Sequence, residues 1–297
     1  MVKEVIKAIR LKNLILLSLI FFTVELFFYL KVPFCSFNLH SFLLYTSALL
    51  CAASGYIIND YFDKQSDTIN NKLNKSSLSR KSLLVIYLIL ILASLSAAIL
   101  FNNNSYLYIN IFCSLSLFLY SWKLQHLPII GNLVIALLAG ICPLLVFFSH
   151  LEIAPHLPIL TDNQLLTLAI PFYYACTAFT TTFSREIAKD LEDIKGDQAQ
   201  HAQTLPIAFG AKTAKFTIIF LLGTTATLTL FALINYQLIG ISLITAISVL
   251  ILLLIPILFL ILKTYTANNK EDFNHLSNGH KVLFLMANVV LLIHTIF

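Results

Sequence analysis

Nine runs of predominantly apolar residues, each near the length of about 20 that a helix needs to cross the hydrocarbon core of a bilayer, leave this chain little freedom of fold. They begin near Asn13, Ser41, Ser82, Ser105, Leu133, Leu165, Phe216, Leu238 and Val282. In lipid, each backbone N–H and C=O must be satisfied inside the segment or a closed barrel, so runs of this length and character read as helices. Polar breaks such as NNNS (Asn102 to Ser105) and NYQ (Asn235 to Gln237) separate neighbouring runs. Only 11% of the residues are charged, where a soluble domain carries about 25%. The expectation is an all-α, polytopic membrane helical bundle of about nine transmembrane helices, forming a single membrane-embedded domain over residues 1–297.

The distribution of charge sets the direction of threading. If the N-terminus and the loops after the second, fourth, sixth and eighth spans share one side, that side carries 18 of the 19 Lys and Arg residues, and only Lys31 falls opposite. Lys and Arg are retained on the cytoplasmic side of short loops. The N-terminus is therefore expected in the cytoplasm and the C-terminus outside, in a protein integral to the cell (inner) membrane. The leading MVKEVIKAIRLKN is basic and amphipathic without a following small-residue cleavage site, and reads as a retained interfacial segment. No continuous basic block suggests a nucleic-acid partner. The five cysteines, Cys35, Cys51, Cys113, Cys142 and Cys176, lack metal-type spacing, and four sit in apolar runs where cysteine acts as a small hydrophobe. The eight histidines are scattered without ligand spacing.

Eight of the 14 acidic residues gather after the second and sixth spans. Asp60, Asp63 and Asp67 have the spacing 0, 3, 7, and Asp190, Asp193 and Asp197 repeat it. On a helix each triplet falls within roughly 60° of arc, a carboxylate stripe facing one way. Like charges so arranged repel, and a hard divalent cation is the natural neutraliser. Mg²⁺ takes oxygen ligands and is commonly shared between one or two carboxylates and substrate phosphates, so two such stripes suit a diphosphate bridged by Mg²⁺. Each stripe alone reads first as a solvated helix end paired with local lysines; it is the repetition on one side of the membrane that turns the reading to the metal. Lys123, alone in its loop, Arg185 and Lys189 ahead of the second stripe, and Arg10 before the first span supply cations that would lower the barrier to losing diphosphate. For Arg10 and Lys123 a purely topological role fits as well.

These segments resemble a known family, the UbiA-type intramembrane prenyltransferases. NDYFDKQSD (59–67) is similar to its first motif NDxxDxxxD, and REIAKDLEDIKGD followed by TLPIAFG (185–210) to its second aspartate motif. YSWKLQHLPIIGN resembles its tyrosine–lysine loop, with Tyr120, Lys123, Gly131 and Asn132, and RLKN (10–13) its entry into the first helix. The resemblance implies nine helices around a central cavity with cytoplasmic helical caps, and Mg²⁺-dependent transfer of a polyprenyl group from its diphosphate to a membrane-associated acceptor. It implies metal or substrate roles for Asn13, Asn59, Asp60, Asp63, Asp67, Tyr120, Lys123, Arg185, Lys189, Asp190, Asp193 and Asp197, with Lys123, Arg185 and Asp190 closest to the chemistry. Tyr56, Tyr120, Tyr173 and Tyr174 are candidates to face a developing allylic cation. One departure stands out: INNKLNKSSLSR (69–80) lacks the prolines that often follow the first motif.

REIAKDLEDIKGD looks most like the branch whose acceptor is geranylgeranylglyceryl phosphate; an aromatic acid acceptor, hydroxybenzoate or dihydroxynaphthoate, is second. An ion-coupled transporter is the alternative of another class, disfavoured because the acids cluster at one face and only Glu25 lies well within a span. Glu25 reads as an outward-facing or snorkelling group. A member that binds an isoprenoid without turning it over is a third reading.

Overall fold

The computed structural model describes residues 2–32, 39–64, 76–101, 103–153, 162–237 and 241–297, and among them there is helix and no strand. In chain order the helices are α1 (Val2–Ala8), α2 (Leu11–Lys31), α3 (Leu39–Phe62), α4 (Arg80–Leu100), α5 (Asn104–Trp122), α6 (Ile130–Ile153), α7 (Asp162–Ala199), the short α8 (Leu205–Phe209), α9 (Ala211–Gln237), α10 (Leu243–Thr266) and α11 (Lys270–Ile296). Seven of these, α2, α3, α4, α6, α9, α10 and α11, are long and apolar enough to cross a membrane. The runs expected to begin at Ser105 and Leu165 lie in α5, of 19 residues, and α7, of 38.

The polar breaks between runs turn into caps. An N-cap side chain that accepts from the first turn satisfies one of the donors a helix start leaves open. Ser79 does this for α4, accepting from Ser82 N at 3.1 Å, and Asn103 of the NNNS break does it for α5, accepting from Ser105 N at 2.8 Å. Ser242 caps α10 through Thr245 N at 3.1 Å. Asn269 and Asp272 form a reciprocal capping box at the start of α11. Pro143 and Pro171 lie inside α6 and α7, and Pro256 follows a π-helical turn at Leu250–Leu254 within α10, where the wider turn accommodates a residue without an N–H.

The chain divides into two compact units. The first comprises Met1–Ser18, Asn38–Val134 and Asp193–Ala208. Here α3 packs against α4 and α5. Ser47 and Ser94 exchange hydroxyl-to-carbonyl bonds of 3.0 and 2.8 Å, and Asn110 donates to both hydroxyls at 2.7 and 2.9 Å. Without a hydrophobic drive between helices in lipid, close contacts of small polar residues of this kind hold neighbours together. Ala8 of α1 is fully buried with Ile57 and Leu83, so α1 docks on α3 and α4. Outward, α4 exposes Val85, Ile89, Leu92 and Ile99, the surface expected of a lipid-facing helix.

The second unit comprises Leu19–Phe37, Ile135–Glu192 and Phe209–Phe297. Its helices are cross-linked by Thr23 donating to Asn288 Oδ1 at 2.8 Å and by Thr180 with Thr225 at 2.8 Å. Glu25 corrects the expectation of a snorkelling group: its residue exposure is 0%, and its carboxylate lies 3.0 Å from His150 Nε2, itself 3% exposed. A carboxyl in the middle of a span is costly in lipid, and an internal partner offsets that cost better than reaching for a distant interface.

Candidate active site

In the first unit, the end of α3 carries the first motif. Asn59 and Asp60 are buried, at 8% and 5% exposure. The helix runs on past Phe62, because Asp63 N donates to Asn59 O at 2.9 Å, so Asp60 and Asp63 share a helical face as their spacing requires. Asp67 lies outside the described residues, as do Asn70, Lys72 and Lys75 of the loop without prolines.

Two residues from elsewhere in the chain organise this face. Arg10 Nη2 donates to Asn59 Oδ1 at 2.7 Å and to Asp60 Oδ1 at 3.3 Å, while its guanidinium lies 5.0 Å from the centre of the Tyr56 ring. One face of Tyr56 is therefore already covered by a cation. Burial pulls the Arg10 pKa down, but Asp60, Tyr56 and Asp63 outweigh it and hold the group above its ordinary value, so it is charged at any working pH. Arg10 sits in the left-handed region at φ 51, in the break between α1 and α2, where its carbonyl accepts from Asn13 N at 2.7 Å. That conformation costs a non-glycine residue about 1 kcal/mol, and the side-chain bonds to α3 offset it.

Gln125 is the second organiser. Its Oε1 accepts from Asn59 Nδ2 at 3.0 Å, and its Nε2 donates to Asp63 Oδ1 at 2.7 Å and to Ser121 O at 3.0 Å. It stands in the turn between α5 and α6, where Lys123 ends α5 and Leu124–His126 form a single 3₁₀ turn. Lys123 is exposed, and Tyr120 is half-buried one turn earlier in α5. The turn is tied on its other side by Gln203 N donating to His126 O at 2.8 Å.

The second motif lies wholly on α7, which continues unbroken from the apolar run, so Asp190, Asp193 and Asp197 form one stripe by position. The boundary between units falls within this helix: Asp190 belongs to the second unit with Arg185 and Lys189, and Asp193 and Asp197 belong to the first. Asp197 Oδ2 accepts from Thr204 Oγ1 at 3.3 Å. Arg185 and Lys189 both bond Glu186, at 2.6 Å each, so a buried carboxylate gathers the two cations on consecutive turns. Arg185 Nε is buried and has no hydrogen-bond partner among the described residues. A guanidinium donor left open, with a second cation, Lys189, on the same carboxylate, fits an anionic ligand. The segment is pinned to α11 at two levels. His280 Nδ1 donates to Leu276 O at 2.7 Å, so in the neutral ring Nε2 accepts from Ser184 Oγ at 2.8 Å; Asn274 donates to Glu192 at 3.0 Å.

Along α7, Ile170, Tyr173, Tyr174, Thr177, Ala178 and Thr181 line a largely apolar cavity of about 150 Å³ within the second unit. Their spacing of three and four residues continues in register to Arg185 and Lys189. Tyr173 and Tyr174 thus face a cavity, and the buried Tyr174 hydroxyl has no partner among the described residues.

Among the described residues no three His, Cys, Asp or Glu side chains converge at metal-binding range. The donor chemistry nonetheless suits Mg²⁺: Asp60, Asp63 and Asn59 offer hard oxygen atoms, held by side-chain donors that fix their orientation. Spacing alone singled out the aspartates. It passed over Gln125, Glu186 and His280, and noted Arg10 without assigning it: the side-chain contacts that Arg10, Gln125 and His280 make with other helices reach 49 to 96 residues along the sequence, where no local pattern encodes them, and Glu186 lies off the aspartate spacing.

The UbiA prenyltransferase family model matches residues 16–279. A digeranylgeranylglyceryl phosphate synthase of Thermococcus gammatolerans is 32% identical over 181 residues, 60% of each chain. One of Methanosphaera stadtmanae is 30% identical over 246 residues, 81% of this chain and 82% of the relative. The matched stretch thus spans about 60% of the length of the Thermococcus relatives and more of the Methanosphaera one. Among solved structures, one of digeranylgeranylglyceryl phosphate synthase superposes with a TM-score of 0.70 at 23% identity, covering 99% of this chain and 98% of that one. A UbiA homologue from Archaeoglobus fulgidus bound to GPP and Mg²⁺ superposes with a TM-score of 0.61 at 15% identity, covering 97% and 99%. These likenesses show a shared fold.

Proposed function

The chain belongs to the UbiA prenyltransferase family, and from that premise we propose that it transfers a geranylgeranyl group from its diphosphate to the hydroxyl of geranylgeranylglyceryl phosphate, in a Mg²⁺-dependent reaction. The names of the relatives support this acceptor over an aromatic acid. The observation that carries the reading is the bonded oxygen-donor face at Asn59, Asp60 and Asp63 in the first unit; in the second unit, the paired cations Arg185 and Lys189 on α7 support it separately.

In this reading Asp60, Asp63 and Asp67 hold metal on one side and Asp190, Asp193 and Asp197 on the other. Bound Mg²⁺ supplies charge neutralisation for the diphosphate. Asn59, Asn13 and Tyr120 line the substrate. Lys123, Arg185 and Lys189 face the diphosphate, and the open Arg185 Nε is a donor to it as the C1–O bond breaks and the electron pair passes to the leaving oxygen. Tyr173 and Tyr174 line the apolar cavity on the same helix as Arg185 and Lys189 and suit an allylic chain. The acceptor oxygen bonds to C1 and gives up its proton, which in this reading passes to Asp190. The whole chain acts as one membrane-embedded domain of nine spans, with α5 and α7 supplying the two beyond the seven most apolar helices. The N-terminus and the catalytic loops lie in the cytoplasm under helical caps, and the C-terminus lies outside.

The deciding experiment incubates purified full-length protein with geranylgeranyl diphosphate and a panel of acceptors. We expect product on geranylgeranylglyceryl phosphate, lost on chelation of Mg²⁺ and in Asp63→Ala. Product on hydroxybenzoate or dihydroxynaphthoate alone would overturn the acceptor; undiminished turnover in Asp63→Ala would overturn the metal assignment. Mg²⁺-dependent release of diphosphate that disappears in that variant excludes an ion-coupled carrier.

A further inference from the structure

Gln125 belongs to neither aspartate motif, yet its one side chain holds two residues of the first. Its carbonyl oxygen takes the Asn59 amide at 3.0 Å, which turns Asn59 Oδ1 toward Arg10, and its amide nitrogen takes Asp63 Oδ1 at 2.7 Å. A third bond, to Ser121 O at 3.0 Å, fixes the amide against the last turn of α5. An amide bonded at both ends has one orientation, so Asn59 and Asp63 are held in one relative placement.

The turn that carries Gln125 is built tightly around it. A Cβ at Gly131 would stand 2.7 Å from Leu124 O and 2.8 Å from Gln125 Cα, both backbone atoms, so only glycine lets the start of α6 return this close. Ile129, a β-branched residue, is held at φ 68, a conformation of the kind that persists only where its surroundings over-determine it. The Gly131 of the tyrosine–lysine loop thereby gains a physical role: it sets the position of the Gln125 backbone.

We propose that Gln125, seated by the close approach of Gly131, is a positioning residue that pre-organises Asn59 and Asp63 for a divalent cation. The inference rests on the metal reading of the first motif given above. Without the amide, Asn59 and Asp63 sample other rotamers, and metal binding has to restore their order; the effect falls on metal affinity, and turnover at saturating metal stays close to that of the parent protein.

The test uses full-length protein in lipid nanodiscs, titrated with Mn²⁺ and followed by loss of the free-ion electron paramagnetic resonance signal. Diphosphate release is measured in parallel over a Mg²⁺ series. Gln125→Leu and Gln125→Met keep the side-chain bulk and remove the amide; Gly131→Ala keeps every hydrogen-bonding group and displaces the turn. All three are expected to raise the half-saturating metal concentration on the order of ten-fold, the loss of about one charge-assisted hydrogen bond. Unchanged half-saturation in folded Gln125→Leu and Gln125→Met proteins overturns the proposal, as does a parent protein with no saturable Mn²⁺ site. A parent that binds Mn²⁺ but prenylates no acceptor overturns the proposed function while the Mn²⁺ comparison still decides the role of Gln125.

Discussion

Arg10 and Glu25 were both legible in the sequence as single charges beside or within an apolar run, and the structure separates them by what each touches. Arg10 bonds Asn59 and Asp60 and covers Tyr56. Lysine has neither the planar fork nor the stacking face to do the same. Arg10→Lys is expected to lower stability by about 2 kcal/mol, the scale of hydrogen bonds to charged groups, and to weaken activity, both read from thermal unfolding in detergent and from diphosphate release. Glu25 and His150 are buried together in the second unit. Removing one partner of a buried pair leaves the other without it, so His150→Ala is expected to cost on the order of 3 kcal/mol. Glu25→Gln, which can still bond the imidazole, costs less. A double-mutant cycle in thermal unfolding measures the coupling, and additive effects would show that the pair does not act as a unit.

At the scale of elements, the caps and the docking of α1 were not visible in the hydropathy pattern beyond the polar breaks that house them. Asn269→Ala removes the capping box of α11 and is expected to cost about 1 kcal/mol, seen as a lower unfolding temperature with little change in the cavity that α11 lines. Helix α1 is tied to the loop ahead of α4 by Glu4, whose carboxylate accepts from Ser77 N at 2.7 Å and Ser77 Oγ at 3.0 Å. The Ser77 backbone and hydroxyl bonds, with Lys7 adding to them, hold the Glu4 pKa below its usual carboxylate value. The linkage has a definite sign: with the folded pKa lowered, this contribution is present above the unfolded value of 4.5 and is lost as pH falls through the folded one. Amide exchange in α1 is expected to speed up on acidification through that window in the parent chain, and Glu4→Gln is expected to abolish the pH dependence. Equal pH dependence in both would assign the tether elsewhere.

At the scale of the molecule, seven helices among the described residues are apolar and long enough to span, and the proposed nine-span threading needs α5 and α7 as well. The lysine and arginine bias makes a specific forecast: a reporter active only in the cytoplasm works when fused ahead of α1 and fails after α11. Single cysteines placed in the α3–α4 and α7–α9 connections are expected to react from the cytoplasmic side only. Labelling from the opposite side would reverse the proposed location of both aspartate motifs. The departure from the family pattern runs over 69–80; 69–75 lie outside the described residues, while Ser79 caps α4 and Arg80 begins it.

Composition and run length by themselves dictated an all-helical membrane protein, because lipid offers the backbone no partner but itself. The repeated spacing of Asp60, Asp63, Asp67 and of Asp190, Asp193, Asp197 marked where charge is concentrated, because a helix converts intervals of three and four into one face. What spacing cannot express is which side chain from another helix meets that face. Only the tertiary structure decided that Arg10 and Gln125 grip the first motif, that Glu186 gathers Arg185 and Lys189, that Tyr56 lies under a guanidinium, and that Glu25 turns inward to His150. These are hydrogen bonds and charge contacts, short-ranged and directional, and all but the neighbouring Glu186 cluster join residues that the sequence keeps far apart.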